Sequence, residues 1–195
     1  MSAPPMFSRP TYEALAVDPA GRRHLFVADH RFEPSPETFA GLPADAPVEI
    51  WRTLAEARVA AAPHEGGGAV LRDFRSRAQI LDALDHRLSR ERVGLRLYAV
   101  GLESFIWDVA KIAADKGLDR DEYRLFHVGS QSRRVYCVHC RAVTENVSTN
   151  IATCSGCGAH LFVRDHFSRR LAAFAGVQVD AEVPGEIPAI EEVYP

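Results

Sequence analysis

Short apolar runs and stretches of helical spacing alternate over the first two thirds of the chain. Residues 24–29 (HLFVAD), 48–52 (VEIWR) and 69–74 read as strands, the first of them buried. Residues 95–100 (LRLYAV) form a strongly apolar strand that stops at Gly101, and 123–128 (YRLFHV) supply the next. Between them the period changes. Over 76–90, Ile80, Leu81, Leu84 and Leu88 recur on one helical face. Over 103–116, Phe105, Ile106, Val109, Ile112 and Ala113 make an apolar stripe, Asp108, Lys111 and Asp115 face water, and Gly117 ends the helix. Shorter helical pieces are predicted at 36–40 and 54–61, and the Pro- and Ala-rich residues 1–20 read as an extended lead-in. Strands alternating with helices predict βαβ units and a parallel sheet. The Gly triplet at 66–68 reads as a turn, because a phosphate cradle would need a strand before it and Lys-Ser/Thr after it.

The rhythm breaks down near residue 133, and there the cysteines begin. All four in the chain fall into two C-x-x-C pairs, Cys137-Val-His-Cys140 and Cys154-Ser-Gly-Cys157. Each pair places two sulfurs on one tight turn, and two such turns facing each other surround one ion with four thiolates. Gly156 and Gly158 suit the second turn, since Gly tolerates positive φ. The predicted metal ligands are therefore Cys137, Cys140, Cys154 and Cys157. Zinc is the default occupant of such a cage, and a rubredoxin-like iron is the alternative. A redox-active C-x-x-C is disfavoured by the doubled pair, and disulfides by an intracellular setting. His139 sits inside the first turn, with His160 and His166 beyond the second, but four thiolates need no fifth ligand. A short helix is expected over 165–175, with Phe167, Leu171 and Phe174 packing on the ribbon.

Composition narrows the function classes. The chain has 195 residues, 47% of them apolar, which suffices for a substantial core. The start MSAPPMFSRP lacks a charged n-region and an apolar h-region, and no apolar run reaches membrane-spanning length, so a soluble, cytoplasmic protein is expected. The net charge of −3 and a knuckle-linking segment without Lys or Arg (144–153) speak against nucleic acid as a partner. Charge is nonetheless segregated. Residues 133–175 carry six arginines against Glu145 and Asp165, whereas 176–195 carry Asp180, Glu182, Glu186, Glu191 and Glu192 with no base. Pro184, Pro188 and Pro195 forbid a continuous helix in this acidic tail, and its Val and Ile residues suit extended packing on a partner or on the chain's own domains. No nucleophile–base constellation, H-x-x-x-H motif or paired carboxylates appear, so neither catalytic nor cofactor-binding residues are assigned. With all four cysteines in the ribbon, none is left for a plant-type [2Fe–2S] cluster, and no Cys-x-x-Cys-His haem-attachment motif occurs.

Two resemblances add to this reading. The strand ending at Gly101, the helix 103–116, Gly117-Leu118 and the strand 123–128 resemble the end of the nucleotide-binding domain of ferredoxin-NADP reductase-type proteins. Val100 and Leu102 replace the Cys and Pro of that family's Cys-Gly-Pro. Asp29-His30-Arg31 stands where its Gly-rich phosphate turn belongs, so the domain reads as a degenerate one. Farther on, Arg134-Val-Tyr-Cys-Val-His-Cys140, residues 144–150 (TENVSTN), Cys154-Ser-Gly-Cys157-Gly-Ala-His-Leu161, residues 164–171 (RDHFSRRL) and the terminal Glu192-Val-Tyr-Pro195 are similar to the C-terminal domain of the DmmA-like family, the small subunits of dimethylamine monooxygenase. That resemblance implies a heteromeric complex using NAD(P)H and O₂ to convert dimethylamine to methylamine and formaldehyde. It implies a haem-containing monooxygenase subunit and a flavin (FMN)/[2Fe–2S] reductase subunit as partners, this chain being neither; the four-thiolate spacing and the lack of a catalytic constellation make it in this reading a zinc-containing, non-catalytic subunit. The expected architecture is α/β: a Rossmann-like parallel-sheet domain over 1–132, a four-cysteine zinc ribbon with a short helix over 133–175, and an extended acidic tail over 176–195.

Overall fold

A computed structural model describes residues 8–29, 32, 34–43, 45–54 and 69–195. The chain divides into two compact units, one spanning Tyr12–Val128 and the other joining Gly129–Pro195 to the N-terminal residues up to Thr11.

The first unit is a five-stranded parallel sheet. Its strands are β1 (Arg23–Ala28), β2 (Val48–Thr53), β3 (Ala69–Phe74), β4 (Leu95–Gly101) and β5 (Tyr123–His127), in the spatial order β3-β2-β1-β4-β5. The apolar runs are near-continuous because the central strands are buried on both faces. Leu25 to Ala28 and Leu97 to Ala99 are at most 1% exposed. The edge strand β3 instead carries Arg72 and Asp73 and is largely exposed, which blunts an otherwise open ladder.

Two helices cross back over the sheet, α1 (Arg77–Leu88) and α2 (Glu103–Asp115). Ser76 caps α1 by accepting the Gln79 amide at 3.2 Å, while the Gln79 side chain accepts the Arg75 amide at 3.0 Å. Ile80, Leu84 and Leu88 are the face it buries. On α2 the buried residues include Phe105, Ile106, Trp107, Val109 and Ala113. Leu118 N–H closes its end onto Ala113 O at 3.0 Å across Gly117, whose φ is +82°. A second layer of Phe26, Val48, Ile50, Tyr98, Val100 and Phe126 is covered by Leu15, Val17, Phe32, Phe39 and Leu42, from the lead-in and the β1–β2 connection. Phe26 and Tyr98 stack there with centroids 4.5 Å apart. The expected helix at 36–40 is a single 3-10 turn, Pro36–Phe39. Beyond Leu54, the helical turns expected at 54–61 and the Gly turn fall outside the described residues.

The second unit is a mixed sheet in the order β7-β6-β10-β9-β8, built from β6 (Arg133–Cys137), β7 (Val143–Val147), β8 (Ile151–Thr153), β9 (His160–Ser168) and β10 (Ala173–Gln178). Strands β6–β7 and β8–β9 are antiparallel hairpins, and β10 lies between them, parallel to β6 and antiparallel to β9. The edge strands β7 and β8 are joined by residues 148–150 alone. Four residue steps reach about 14 Å at full extension, whereas four strand spacings in a flat sheet span about 19 Å. The sheet must therefore curl until its edges approach. Val135, Leu161, Val163, Ile151 and Phe174 fill the curl.

The helix expected over 165–175 is not formed. Those residues run through β9, a turn at 169–172, and β10. Phe167 and Phe174, taken from sequence as two positions on one helical face, are opposed across the hairpin with rings 5.0 Å apart. Spacings of three and four residues describe a helix stripe, but a strand–turn–strand brings the same residues together. Here the unpaired inner edges of two hairpins both bond to β10, and tertiary pairing overrides local period. Among the described residues, no helix is long and apolar enough to cross a membrane.

Candidate metal centre

The turns of the two hairpins, β6–β7 and β8–β9, are the two C-x-x-C knuckles, and they are built alike. In the first, Cys137 N–H donates to Ala142 O at 2.9 Å and Arg141 N–H donates to Cys137 O at 2.9 Å. In the second, Cys154 N–H donates to Ala159 O at 2.8 Å and Gly158 N–H to Cys154 O at 3.1 Å. The residue after each second cysteine is left-handed, Arg141 at φ 67° and Gly158 at φ 73°. Cys-x-x-Cys-(left-handed)-Ala is thus written twice, as CVHCRA and CSGCGA.

Gly156 works differently from the sequence-based expectation. It is not among the residues with positive φ. Its role is close approach: a Cβ there would lie 2.5 Å from the Ala142 Cβ and 3.2 Å from Cys140 Sγ. The second knuckle can press against the first only because this side chain is missing.

The four sulfurs lie within 4.8 Å of one another. Cys137 and Cys157 are separated by 4.0 Å, Cys140 and Cys154 by 3.5 Å. A tetrahedron with metal–sulfur bonds of about 2.3 Å has edges of about 3.8 Å, so the donor set fits a four-thiolate ion. The separations are well beyond a disulfide of about 2.05 Å, and all four cysteines are free. Cys137 and Cys154 are buried; Cys140 and Cys157 face solvent. The backbone favours the thiolate at Cys154, where amides of Cys157 and Gly156 point at the sulfur and hold its pKa down at about 6 against burial. At Cys140 the Ala142 amide pulls the same way, but desolvation and the neighbouring sulfurs of Cys154, Cys157 and Cys137 win and push it up to about 11. Four sulfurs this close resist sharing negative charge without a cation between them.

His139 is exposed on the first knuckle and stands outside the four-sulfur group, as do His160 and His166. The His166 ring is 3.3 Å from Ser8 Oγ, which also accepts the Phe167 amide at 3.1 Å.

Sequence reasoning missed a second constellation in this unit. Arg133, 2% exposed, lies between the rings of Phe174 and Tyr194, 3.9 and 3.7 Å from their centroids, and its Nη2 reaches Asp165 at 2.5 Å. Tyr194 belongs to the acidic tail, which runs along residues 148–150. Ser148 O accepts the amides of Val193 at 2.9 Å and Tyr194 at 2.8 Å, and Asn150 N–H donates to Glu191 O at 3.0 Å. The Asn150 side chain holds the Glu191 amide at 2.8 Å and Ala189 O at 3.1 Å. Of the two expectations for the tail, packing along the chain's own ribbon is what the structure displays. An Arg with no nearby acid in sequence and an aromatic near the end gave no local signal of the sandwich.

Comparison with known proteins extends the likeness to both units. The dimethylamine monooxygenase subunit DmmA-like C-terminal domain matches residues 134–177, and the DmmA-like N-terminal domain matches residues 4–123. The heme-dependent oxidative N-demethylase delta subunit of Ectopseudomonas mendocina (strain ymp) is 33% identical over 178 residues, covering 91% of either chain. No solved structure matches significantly.

Proposed function

The chain belongs to the dimethylamine monooxygenase subunit DmmA-like family, and from that premise we propose that it is a zinc-holding, non-catalytic subunit of a heteromeric oxidative N-demethylase acting on dimethylamine. The observation that carries the proposal is the span of the relationship. Both units match one family, and the relative, itself named a delta subunit of an oxidative N-demethylase, aligns over nearly its whole length. In this reading haem, FMN, the [2Fe–2S] cluster and NAD(P)H sit on the haem monooxygenase and reductase subunits. This chain supplies a rigid metal-tied ribbon and a bound tail for assembly in the cytoplasm.

The chemistry of the site supports a structural role. Four thiolates saturate a tetrahedral ion and leave no open position for substrate or water. The metal would be held by Cys137, Cys140, Cys154 and Cys157, and its contribution would be to fix the two hairpin turns against each other. Cys140 and Cys157 are exposed, which also suits outer-sphere electron transfer through iron. Metal content separates the readings: the proposal expects about one zinc per chain in colourless protein, whereas red, iron-loaded protein would establish the electron carrier. The functional test is co-expression with the candidate haem and reductase subunits. NAD(P)H-dependent formaldehyde release from dimethylamine should require this chain for assembly, with the haem spectrum of the isolated haem subunit unchanged by its omission. Full turnover and an intact complex in its absence would overturn the proposal.

A further inference from the structure

The strand order β3-β2-β1-β4-β5 reverses direction between β1 and β4. In open parallel sheets that reversal opens a crevice at the carboxyl ends of the strands. There a dinucleotide sets its pyrophosphate against a Gly-rich turn and a helix N-terminus. The first unit has that sheet order and switch point, with α2 starting just past β4 and, among the described residues, only the 3-10 turn Pro36–Phe39 between β1 and β2, so its crevice is where such a cofactor would be expected.

The residues there do not fit one. The first residue past β1 is Asp29, its amide donating to Val100 O at 3.3 Å and its side chain 3% exposed. The carboxylate lies over the end of β4. A Cβ built on Gly101 would fall 2.0 Å from Asp29 Oδ1 and 2.6 Å from its Cγ. Gly101, at φ +149°, is the glycine of the reductase-like strand end, yet the space above it is taken by the chain's own acid. Arg77, the first residue of α1, closes the other side, with Nη2 2.8 Å from Asp29 Oδ2. The first turn of α2 carries a second carboxylate. Glu103 accepts the Tyr12 hydroxyl at 2.7 Å, and that hydroxyl accepts Trp107 Nε1–H at 2.8 Å.

We propose that the Asp29–Arg77 ion pair plugs the dinucleotide crevice of this unit from within, the carboxylate standing where a cofactor's diphosphate would be and the guanidinium serving as its counterion. Three features converge on this. A buried carboxylate repels an incoming phosphate and cannot leave cheaply while paired. The missing side chain at Gly101 accommodates the plug, where in a dinucleotide site it would let backbone approach the phosphates. Arg77, the cation beside Asp29 at the start of α1, is already engaged. The unit is thus a nucleotide-binding framework turned into a scaffold, and any NAD(P)H used by the complex is bound on another chain. This inference concerns the first unit alone and stands or falls independently of the metal and of the demethylase reading.

The test is calorimetric titration of the full chain with NADPH, NADH and inorganic pyrophosphate, for wild type, Asp29→Asn and Asp29→Gly. Wild type should bind none of them saturably at submillimolar concentration. Asp29→Gly removes the plug and frees Arg77, and should gain pyrophosphate binding by at least about ten-fold, a change that corresponds to ~1.4 kcal/mol. Asp29→Asn keeps the size and removes the charge, so its gain should be smaller but present; it carries the test if the Gly variant does not fold. Micromolar NADPH binding by wild type, or pyrophosphate affinity equal to wild type in every folded variant, overturns the proposal.

Discussion

Cys154 and Gly156 show how single residues set the four-cysteine cluster. Cys154→Ser removes a buried ligand, and because metal binding in small domains is coupled to folding, the variant should lose stoichiometric metal and unfold its ribbon at lower temperature. Elemental analysis and circular dichroism check both. Gly156→Ala keeps all four sulfurs but places a methyl 2.5 Å from Ala142 Cβ. It should cost about 1–3 kcal/mol and speed metal loss to a chelator, measured with a chromophoric competitor. An Ala variant as stable and as slow to lose metal as wild type would show that the knuckles need not touch. A third residue-scale consequence lies in the other unit. His24 is 1% exposed, with Nδ1 3.1 Å from the Tyr98 hydroxyl. Burial holds its pKa below 6.5, Arg96 adding to this against the Gly21 backbone and Asp18. The unfolded chain therefore binds the proton more readily than the folded one. The stability that follows is fully present above about pH 6.5 and is lost as pH falls through the lower folded value. Urea denaturation at pH 7.5 and 5.5 should show a smaller difference for His24→Gln than for wild type. Contributions of the distant cysteines cancel in that comparison.

At the scale of elements, the parallel sheet and its two helices were legible and the end of the ribbon was not. The central strands β1 and β4 are apolar runs buried on two faces, α1 begins at the Ser76 cap, and α2 stops at Gly117. The segment from Phe167 to Phe174 had no such punctuation. Its apolar residues fit a helix stripe as well as a hairpin, and only the two ladder edges waiting on β6 and β9 decided between them. The tail was similarly ambiguous, because its anchor is Tyr194 against a buried arginine far away in sequence. Tyr194→Ala removes one face of the Arg133 sandwich. Such a cation–π contact is worth about 0.5–2 kcal/mol, so limited proteolysis should cut the variant within 180–193 several times faster while the ribbon retains its metal. Equal cleavage rates would mean that the backbone bonds to Ser148 and Asn150 hold the tail unaided.

At the scale of the whole molecule, the question is what the tail adds to assembly. Glu182, Glu186, Glu191 and Glu192, together with Val183, Ile187 and Ile190, are exposed along the tail, whereas Asp180 turns back to accept Gln178 Nε2–H and the Gly185 amide. A truncation must respect the structure, because Val177 and Gln178 belong to β10 and Val179 N–H still donates to His160 O at 2.9 Å. Ending the chain after Val179 spares the sheet. That variant should keep its fold and any bound metal but co-purify poorly with the proposed haem and reductase subunits. Wild-type yield of the complex would show that the tail is not part of the interface, and loss of metal would show that it is needed for the ribbon itself.

The sequence alone singled out the four cysteines that the fold brings together, because C-x-x-C encodes each tight turn locally. It determined the parallel sheet for the same kind of reason: strand burial and helix period are written within a dozen residues. Its repeated CVHCRA and CSGCGA already held the knuckle symmetry. Only tertiary structure decided what lies between distant segments. Gly156 is there for a methyl group fourteen residues earlier in the chain, that of Ala142. Phe174 sits on a central strand because two hairpins had edges to satisfy. Asp29, in sequence just an acid in place of a glycine, stands over Gly101 with Arg77 beside it. Local chemistry fixes turns and periods; which side chains share a space is set by the whole packing.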